Sequence, residues 1–202
     1  LFIEHDTIAR FWKFSLGNNT IPRILEQSCR TCCEVFNVNV SQIYAHDRKS
    51  GQLTSVADHG WPEKIARKVL AAKDHLEVQR RALQTGKSEW SRISARQNRN
   101  IPDHMIRNGI STIADIAIKK NGEIAYLLEI HRTTRTAFTP VELNALEHFS
   151  EIVSRSIDSA EKTRLLRQSL TKYRRLVREQ KAAILKKDIL TDELHHRVRN
   201  NL

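Results

Sequence analysis

The stretch Ile110-Ser111-Thr112-Ile113-Ala114-Asp115-Ile116-Ala117-Ile118-Lys119-Lys120-Asn121-Gly122-Glu123-Ile124-Ala125-Tyr126-Leu127-Leu128-Glu129-Ile130-His131-Arg132 decides the fold. Two runs rich in Ile, Leu and Ala, 110–119 and 123–132, flank Lys120-Asn121-Gly122. Asn-Gly supplies the positive φ values that a tight hairpin turn demands, so the spacing predicts a long antiparallel hairpin.

Upstream, a second hairpin is expected. Ser41 to His46 and Leu53 to Ala57 have a period near two and bracket the turn-rich Asp47-Arg48-Lys49-Ser50-Gly51. His59-Gly60-Trp61-Pro62 closes it, helical segments are expected over 63–72 and 76–85, and Gly86 stops the second. A short strand follows at 87–91 with Trp90, then a basic surface loop over 92–100 and a short helix over 102–108 that ends at Gly109. Before the first hairpin, residues 1–16 read as an amphipathic entry helix with Ile8, Phe11 and Trp12 on one side, to which Ile3 is also assigned. Gly17-Asn18-Asn19 breaks it, and a second helix runs over 20–37 with Pro22 in its first turn and Ile24, Leu25, Cys29, Cys32, Val35 and Phe36 as its apolar face. Cys29, Cys32 and Cys33 lie one turn apart, but no second cysteine pair completes a cluster; they read as small core residues, and no metal site is assigned.

Downstream, Thr139, Pro140 and Glu142 spell a capping box with proline at the first helical position, and Phe138 with Leu143 forms a staple. No glycine or proline follows Pro140, so one helix is expected to the last residue, far longer than a globular domain needs. Alternate steps of four and three from Leu166 pass through Leu170, Tyr173, Val177, Gln180, Ile184, Lys187, Thr191, Leu194, Val198 and Asn201, a coiled-coil seam with seven apolar positions of eleven. The seam is weakest at Lys187 and Thr191, just ahead of His195-His196. At about 100° per residue, Leu190, Leu194, Val198 and Leu202 follow one side while His196 faces away from them. Glu193 and Asn200 share the His196 face and are candidates to orient its imidazole.

The net charge is +11, from 34 basic and 23 acidic residues. It is concentrated on the long helix, where 161–199 carries 12 basic and 5 acidic residues. Those charges surround an apolar seam without aromatic interleaving beyond Tyr173 or any DNA-binding motif, so they read as the solvated exterior of a coiled coil and nucleic acid is not the expected partner. No stretch of 18 apolar residues and no signal peptide occur, and the clustered cysteines fit a reducing compartment; the reading is soluble and cytoplasmic, without a membrane segment.

The order helix, hairpin, helices, short strand, helix, long hairpin and capped exit helix is α+β with an antiparallel sheet flanked by helices. It resembles the GAF domain over residues 20–160, through Cys32-Cys33-Glu34-Val35-Phe36, Gly60-Trp61, Gly86-Lys87, the 109–130 hairpin and Phe138-Thr139-Pro140-Val141-Glu142-Leu143. The resemblance implies a pocket between the sheet and its covering helices that takes a cyclic nucleotide, tetrapyrrole or haem, or a purely dimerising role; the ligand is left unidentified. Trp61, Trp90, Met105, Asp115 and His131 are the candidate lining, because such a cavity needs apolar walls and a few polar contacts. No mid-domain cysteine stands where the family attaches a bilin. His46, His59, His75 and His104 fall in loops or at element ends and read as solvated, with a haem axial role left open.

Glu193-Leu194-His195 followed by His196-Arg197-Val198-Arg199-Asn200-Asn201-Leu202 resembles the phospho-acceptor box of the HWE-type histidine kinases. That resemblance implies that His196 is phosphorylated from ATP by a catalytic domain beyond Leu202, since no Gly-rich nucleotide motif lies upstream, and that this chain is a fragment inactive alone. The expected organisation is an entry helix (1–16), a GAF-like sensor (20–160), a coiled-coil signalling linker (161–190) and the start of a dimerisation and phospho-acceptor helix (191–202). The expected partners are a second copy through the coiled coil, a response regulator and a small-molecule ligand. The alternative is a non-catalytic GAF regulator whose basic helix binds an acidic partner or nucleic acid.

Overall fold

The computed structural model describes residues 5–17, 19–61, 69–93 and 101–200. The chain divides into two compact units between Ala160 and Glu161.

In the first unit, helices α1 (His5–Ser15) and α2 (Ile21–Val35) precede strands β1 (Val40–His46), β2 (Leu53–His59) and β3 (Val69–Leu70). A 3-10 turn (Ala72–Asp74), α3 (Glu77–Thr85), β4 (Glu89–Arg92), α4 (Asp103–Arg107), β5 (Thr112–Lys120), β6 (Glu123–Arg132) and α5 (Pro140–Asn200) follow. The six strands form one antiparallel sheet in the order β3-β2-β1-β6-β5-β4. At the tip of the long hairpin Asn121 (φ 53°) and Gly122 (φ 81°) both take positive φ, the geometry that lets a two-residue turn follow the strand twist.

Alternation along the strands gives the sheet two unlike faces. Ile43, Ala57, Ala114, Ile116, Ile118, Leu128 and Ile130 face a layer built from α1, α2 and the first turns of α5, together with Phe11, Ile24, Leu25, Cys29, Cys32, Phe36, Leu146, Phe149, Val153 and Ile157. The Phe149 ring meets Phe11 at 5.2 Å and Phe36 edge-on at 6.5 Å, the tilted arrangements that aromatic quadrupoles favour. Cys29 and Cys32 are fully buried there, and burial raises both thiols well above their ordinary value, so neither is a reactive thiolate. On α1 Phe11 is buried and Ile8 packs against the core as expected, with Thr7 and Ser15 also buried, whereas Trp12 is exposed, which corrects its place in the expected stripe; Ile3 lies outside the described residues.

The opposite face meets α3, α4 and the chain around Trp61. Val69 and Leu70 form an edge strand against Thr54 and Leu53, where a helix over 63–72 was expected; the β-branched Val69 and the pairing edge offered by β2 outweigh a weak helical period. Residues 63–68, most of the 92–100 loop, Asn18, Asn201 and Leu202 lie outside the described residues. α3 ends at Gly86, whose φ of 68° supplies the left-handed cap.

The second unit is helical from Glu161 through the end of α5. Leu165, Leu166, Leu170, Tyr173, Leu176, Ile184, Leu185, Ile189, Leu190, Leu194 and Val198 are all exposed along it. Among the described residues, no helix is long and apolar enough to cross a membrane.

Candidate functional site

The α3/α4 face of the sheet carries a transverse row of polar side chains contributed by five strands. Strand registers place Glu89 of β4 opposite Asp115 of β5, Asp115 opposite Glu129 of β6, Glu129 opposite Gln42 of β1, and Gln42 opposite Asp58 of β2. Its centre is buried: Gln42, Asp115, Glu129 and the neighbouring His131 are covered completely or nearly so. Three carboxyl groups on consecutive strands of a buried surface cost several kcal/mol each unless they are bonded or neutralised, so their partners decide what the site is.

Glu129 is the best served. His131 Nε2 lies 2.6 Å from its Oε1 and Gln79 Nε2 donates to its Oε2 at 2.7 Å, while Gln79 Oε1 accepts the Leu76 N–H at 2.8 Å. Burial raises the Glu129 carboxyl, but His131, Gln79 and Asp115 together outweigh it, and the group sits below the ordinary glutamate value as a carboxylate. Asp115 goes the other way. Burial first, then the neighbouring Glu129, push it far above the ordinary aspartate value, so it keeps its proton. Among the described residues neither Asp115 oxygen has a hydrogen-bond partner.

Other groups around the row are also half used. Gln42 Nε2 donates to Ser55 Oγ at 2.8 Å, yet Gln42 Oε1 meets no donor among the described residues. His131 Nδ1 and the Trp61 indole N–H, both buried, have no hydrogen-bond partner among the described residues. Trp61 stands edge-on to His131 at 5.3 Å and to His104 at 5.1 Å. Its place is set by Gly60 (φ 89°), where any Cβ would collide with the Asn39 carbonyl. Met105 is buried in the apolar cluster of Val40, Leu76, Val78, Ile110 and Ile113 against which Trp61 packs.

Four of the five pocket candidates, Trp61, Met105, Asp115 and His131, thus lie on one face. Trp90 does not: it pairs with Ala114 and packs on the α1/α2/α5 side. Gln42, Gln79 and Glu129 were missed. Glu129 and His131, two apart in an otherwise apolar strand, were the available signal, because that spacing puts both on one buried face. The four solvated histidines also need correction: His75 is buried, His46 and His59 end strands half-buried, and His104 sits in α4 against Trp61.

One residue past His131, Arg132 turns to the opposite side. It donates to the Phe36 carbonyl at 3.2 Å and to Glu142 Oε1, with its guanidinium 4.1 Å from the Phe138 ring centre. Glu142 Oε2 accepts the Thr139 N–H and hydroxyl, both at 2.8 Å, and Thr139 Oγ1 accepts the Glu142 N–H at 3.2 Å, completing the capping box. Burial raises the Glu142 carboxyl, but the Arg132 and Thr139 bonds prevail and hold it below the usual glutamate value. A polar hollow of about 700 Å³ adjoins this joint, lined in part by Asn37, Asn39, Arg132, Thr133 and Glu142.

In the second unit His195 and His196 are exposed. Glu193 Oε1 accepts from Arg197 Nη2 at 2.7 Å, so in this structure it is engaged one turn along the helix. Asn200 is exposed on the last described turn.

The strand order, the two helical layers and the capped exit helix define the first unit as a GAF fold. Among solved structures, the chain superimposes on the GAF domain of an Acinetobacter phosphoenolpyruvate-protein phosphotransferase (TM-score 0.65, 15% identity, covering 80% of this chain and 96% of that one). It superimposes equally on the GAF domain of the Coxiella burnetii phosphoenolpyruvate-protein phosphotransferase (TM-score 0.65, 13% identity, 78% and 94%). The phycocyanobilin-bound GAF domain of a cyanobacterial phytochrome gives a TM-score of 0.63 at 12% identity, covering 78% of this chain and 95% of that one. An R. palustris bacteriophytochrome gives 0.66 at 10% identity, covering 83% of this chain but 40% of that larger one. No family model matches the sequence, and no curated protein matches it.

Proposed function

We propose that this chain is the sensory and phospho-acceptor portion of a cytoplasmic two-component sensor histidine kinase. In it a small molecule bound on the α3/α4 face of the GAF fold governs phosphorylation of His196. The observation that carries the reading is that α5, seated in the GAF core by Leu146, Phe149, Val153 and Ile157, is the same helix that ends in Glu193-Leu194-His195-His196-Arg197-Val198-Arg199-Asn200 with His196 exposed. An exposed neutral imidazole is a competent nucleophile near neutral pH and is open to a separate ATP-binding domain. The exposed Leu166, Leu170, Ile184, Leu194 and Val198 supply an apolar stripe for a second copy, which makes the functional unit a homodimer; the phosphoryl group then passes to a response regulator.

The test joins an ATP-binding catalytic region to this chain and measures acid-labile, base-stable phosphate from radiolabelled ATP. Label is expected in the wild type and absent from His196→Ala; label that survives in His196→Ala removes the assignment. A second reading, a non-catalytic regulator, draws on the 12 basic against 5 acidic residues over 161–199. Steeply salt-dependent binding of duplex DNA by the chain, without phosphorylation in the fusion, would favour it.

A further inference from the structure

Helix α3 lies between two separate hydrogen-bonded sites. In its first turn the buried Gln79 donates to Glu129 Oε2 at 2.7 Å and accepts the Leu76 N–H at 2.8 Å, so one side chain serves both the polar row and the helix cap. Just past the other end, the Ser88 N–H and hydroxyl both donate to Glu147 Oε1 of α5, at 2.9 and 2.8 Å. Nine helical residues lie between, about 14 Å of helix.

The segment that joins the two sites is stiff. Val78 and Ala82 seat it on the sheet. In its left-handed cap the Gly86 N–H donates to the Ala82 carbonyl at 2.9 Å, while Thr85 Oγ1 donates to the Arg81 carbonyl at 2.9 Å and accepts the Lys87 N–H at 3.2 Å. Arg81 pairs with Glu89 at 3.2 Å and ties the helix to β4 beyond the turn. A displacement of α3 at Gln79 is therefore carried to Ser88. Three further side chains fasten α5 to the sheet: Glu142 holds Arg132, Ser154 Oγ accepts the Lys119 N–H at 3.0 Å, and Asp158 Oδ1 accepts the Asn121 N–H at 2.7 Å. All three partners belong to the β5–β6 hairpin, whereas Glu147 reaches the turn that follows α3.

We propose that α3 with its 86–88 turn is a strut coupling the polar row to the exit helix, so that the Gln79–Glu129 bond and the Ser88–Glu147 bonds hold together and release together. The strut has two positions. In the seated one, present in this structure, both ends are bonded; in the shifted one Gln79 leaves Glu129 and Ser88 leaves Glu147, while Glu142, Ser154 and Asp158 keep α5 on the hairpin. The coupling stands whether or not this face binds a ligand and whether or not His196 is phosphorylated. It gives the row a hold on the helix that carries His196.

The experiment follows amide hydrogen exchange and side-chain amide resonances of the full chain by NMR, each exchange rate scaled to that of the Leu128 amide so that a change in global stability cancels. Glu147→Ala frees the Ser88 amide directly. It is also expected to speed exchange of the Leu76 amide at least about threefold and to shift the Gln79 side-chain amide, both at the far end of the strut. Ser154→Ala removes a comparable tie to the hairpin and is expected to leave Leu76 and Gln79 unchanged. In the reverse direction, Gln79→Ala is expected to speed Ser88 exchange by a similar factor. If that variant does not fold, Glu147→Ala, at a half-buried position, carries the test alone. Leu76 and Gln79 unmoved in Glu147→Ala overturn the strut. An equal response to Ser154→Ala overturns it as well, since the change is then a general loosening of α5. Neither result bears on ligand binding or on the label at His196.

Discussion

The two faces of the sheet are made from the same strands and obey opposite rules. On the α1/α2/α5 side Ile116, Ile118, Leu128 and Ile130 belong to one large apolar cluster, and the packing is that of a core. One residue along each strand, Asp115 and Glu129 occupy equally buried positions, and Asp115 leaves its hydrogen-bonding capacity unspent among the described residues. Had stability alone shaped both, the second face would carry apolar residues too, since replacing a buried charged pair by packed hydrophobes is commonly neutral or favourable. The difference separates a surface accounted for by packing from one whose buried polar groups packing does not account for.

The comparison breaks first at its dry side. Phe149→Ala removes a ring packed against Phe11 and Phe36 and should cost about 3–5 kcal/mol in urea unfolding. A loss under about 1 kcal/mol would mean that this face is no tighter than the other. Next is Glu142→Ala, which strands the buried Arg132 guanidinium and opens the cap of α5; about 3 kcal/mol of destabilisation is expected, read as a fall in the unfolding midpoint. An unchanged midpoint would show that the joint at Arg132 is dispensable.

The polar face should respond with the other sign. The folded chain holds a proton on Asp115 that the unfolded chain has released above the ordinary aspartate value, so wild-type stability falls as pH rises through the range between the two. Asp115→Asn removes that slope and keeps a neutral side chain of the same size beside Glu129. It should therefore match the wild type near pH 4 and exceed it by about 1 kcal/mol or more near pH 8, as measured by thermal melts across the range. A variant less stable at every pH would place Asp115 among the residues that hold the fold. The smallest effect belongs to Glu193→Gln in the second unit, where the exposed pair with Arg197 contributes at most about 0.5 kcal/mol to helix content followed by circular dichroism.

Much of the fold is legible along the chain because its decisive signals are local. Asn121-Gly122, Gly86, and Thr139 with Glu142 each act within four residues, and the structure places a turn, a cap and a capping box there. The candidate site is legible only in part. Asp115 and His131 stand out as polar residues in apolar strands, but the row needs β1 to lie between β2 and β6, an order that no local pattern encodes. Gln42 and Gln79 come from segments whose own periodicity gives no reason to prefer them, and Gln79 reaches Glu129 across fifty positions of sequence. Trp90 was misplaced for a related reason, since the face of a four-residue strand is fixed by its register with β5 and not by its own short pattern.

The joint at Glu142 also limits how the exit helix can move. One oxygen of its carboxylate holds Arg132 at the end of β6 and the other holds Thr139, so β6, the Phe36 carbonyl and the first turn of α5 are tied at a single side chain. Twisting α5 about its axis by one residue, about 100°, swings Glu142 away from Arg132 and unseats the cap in the same motion. A slide or tilt that carries the end of β6 along with the helix keeps the bonds of Glu142 to Arg132 and Thr139 and stretches only the one to the Phe36 carbonyl. At this end the helix is geared as a piston rod, not as an axle.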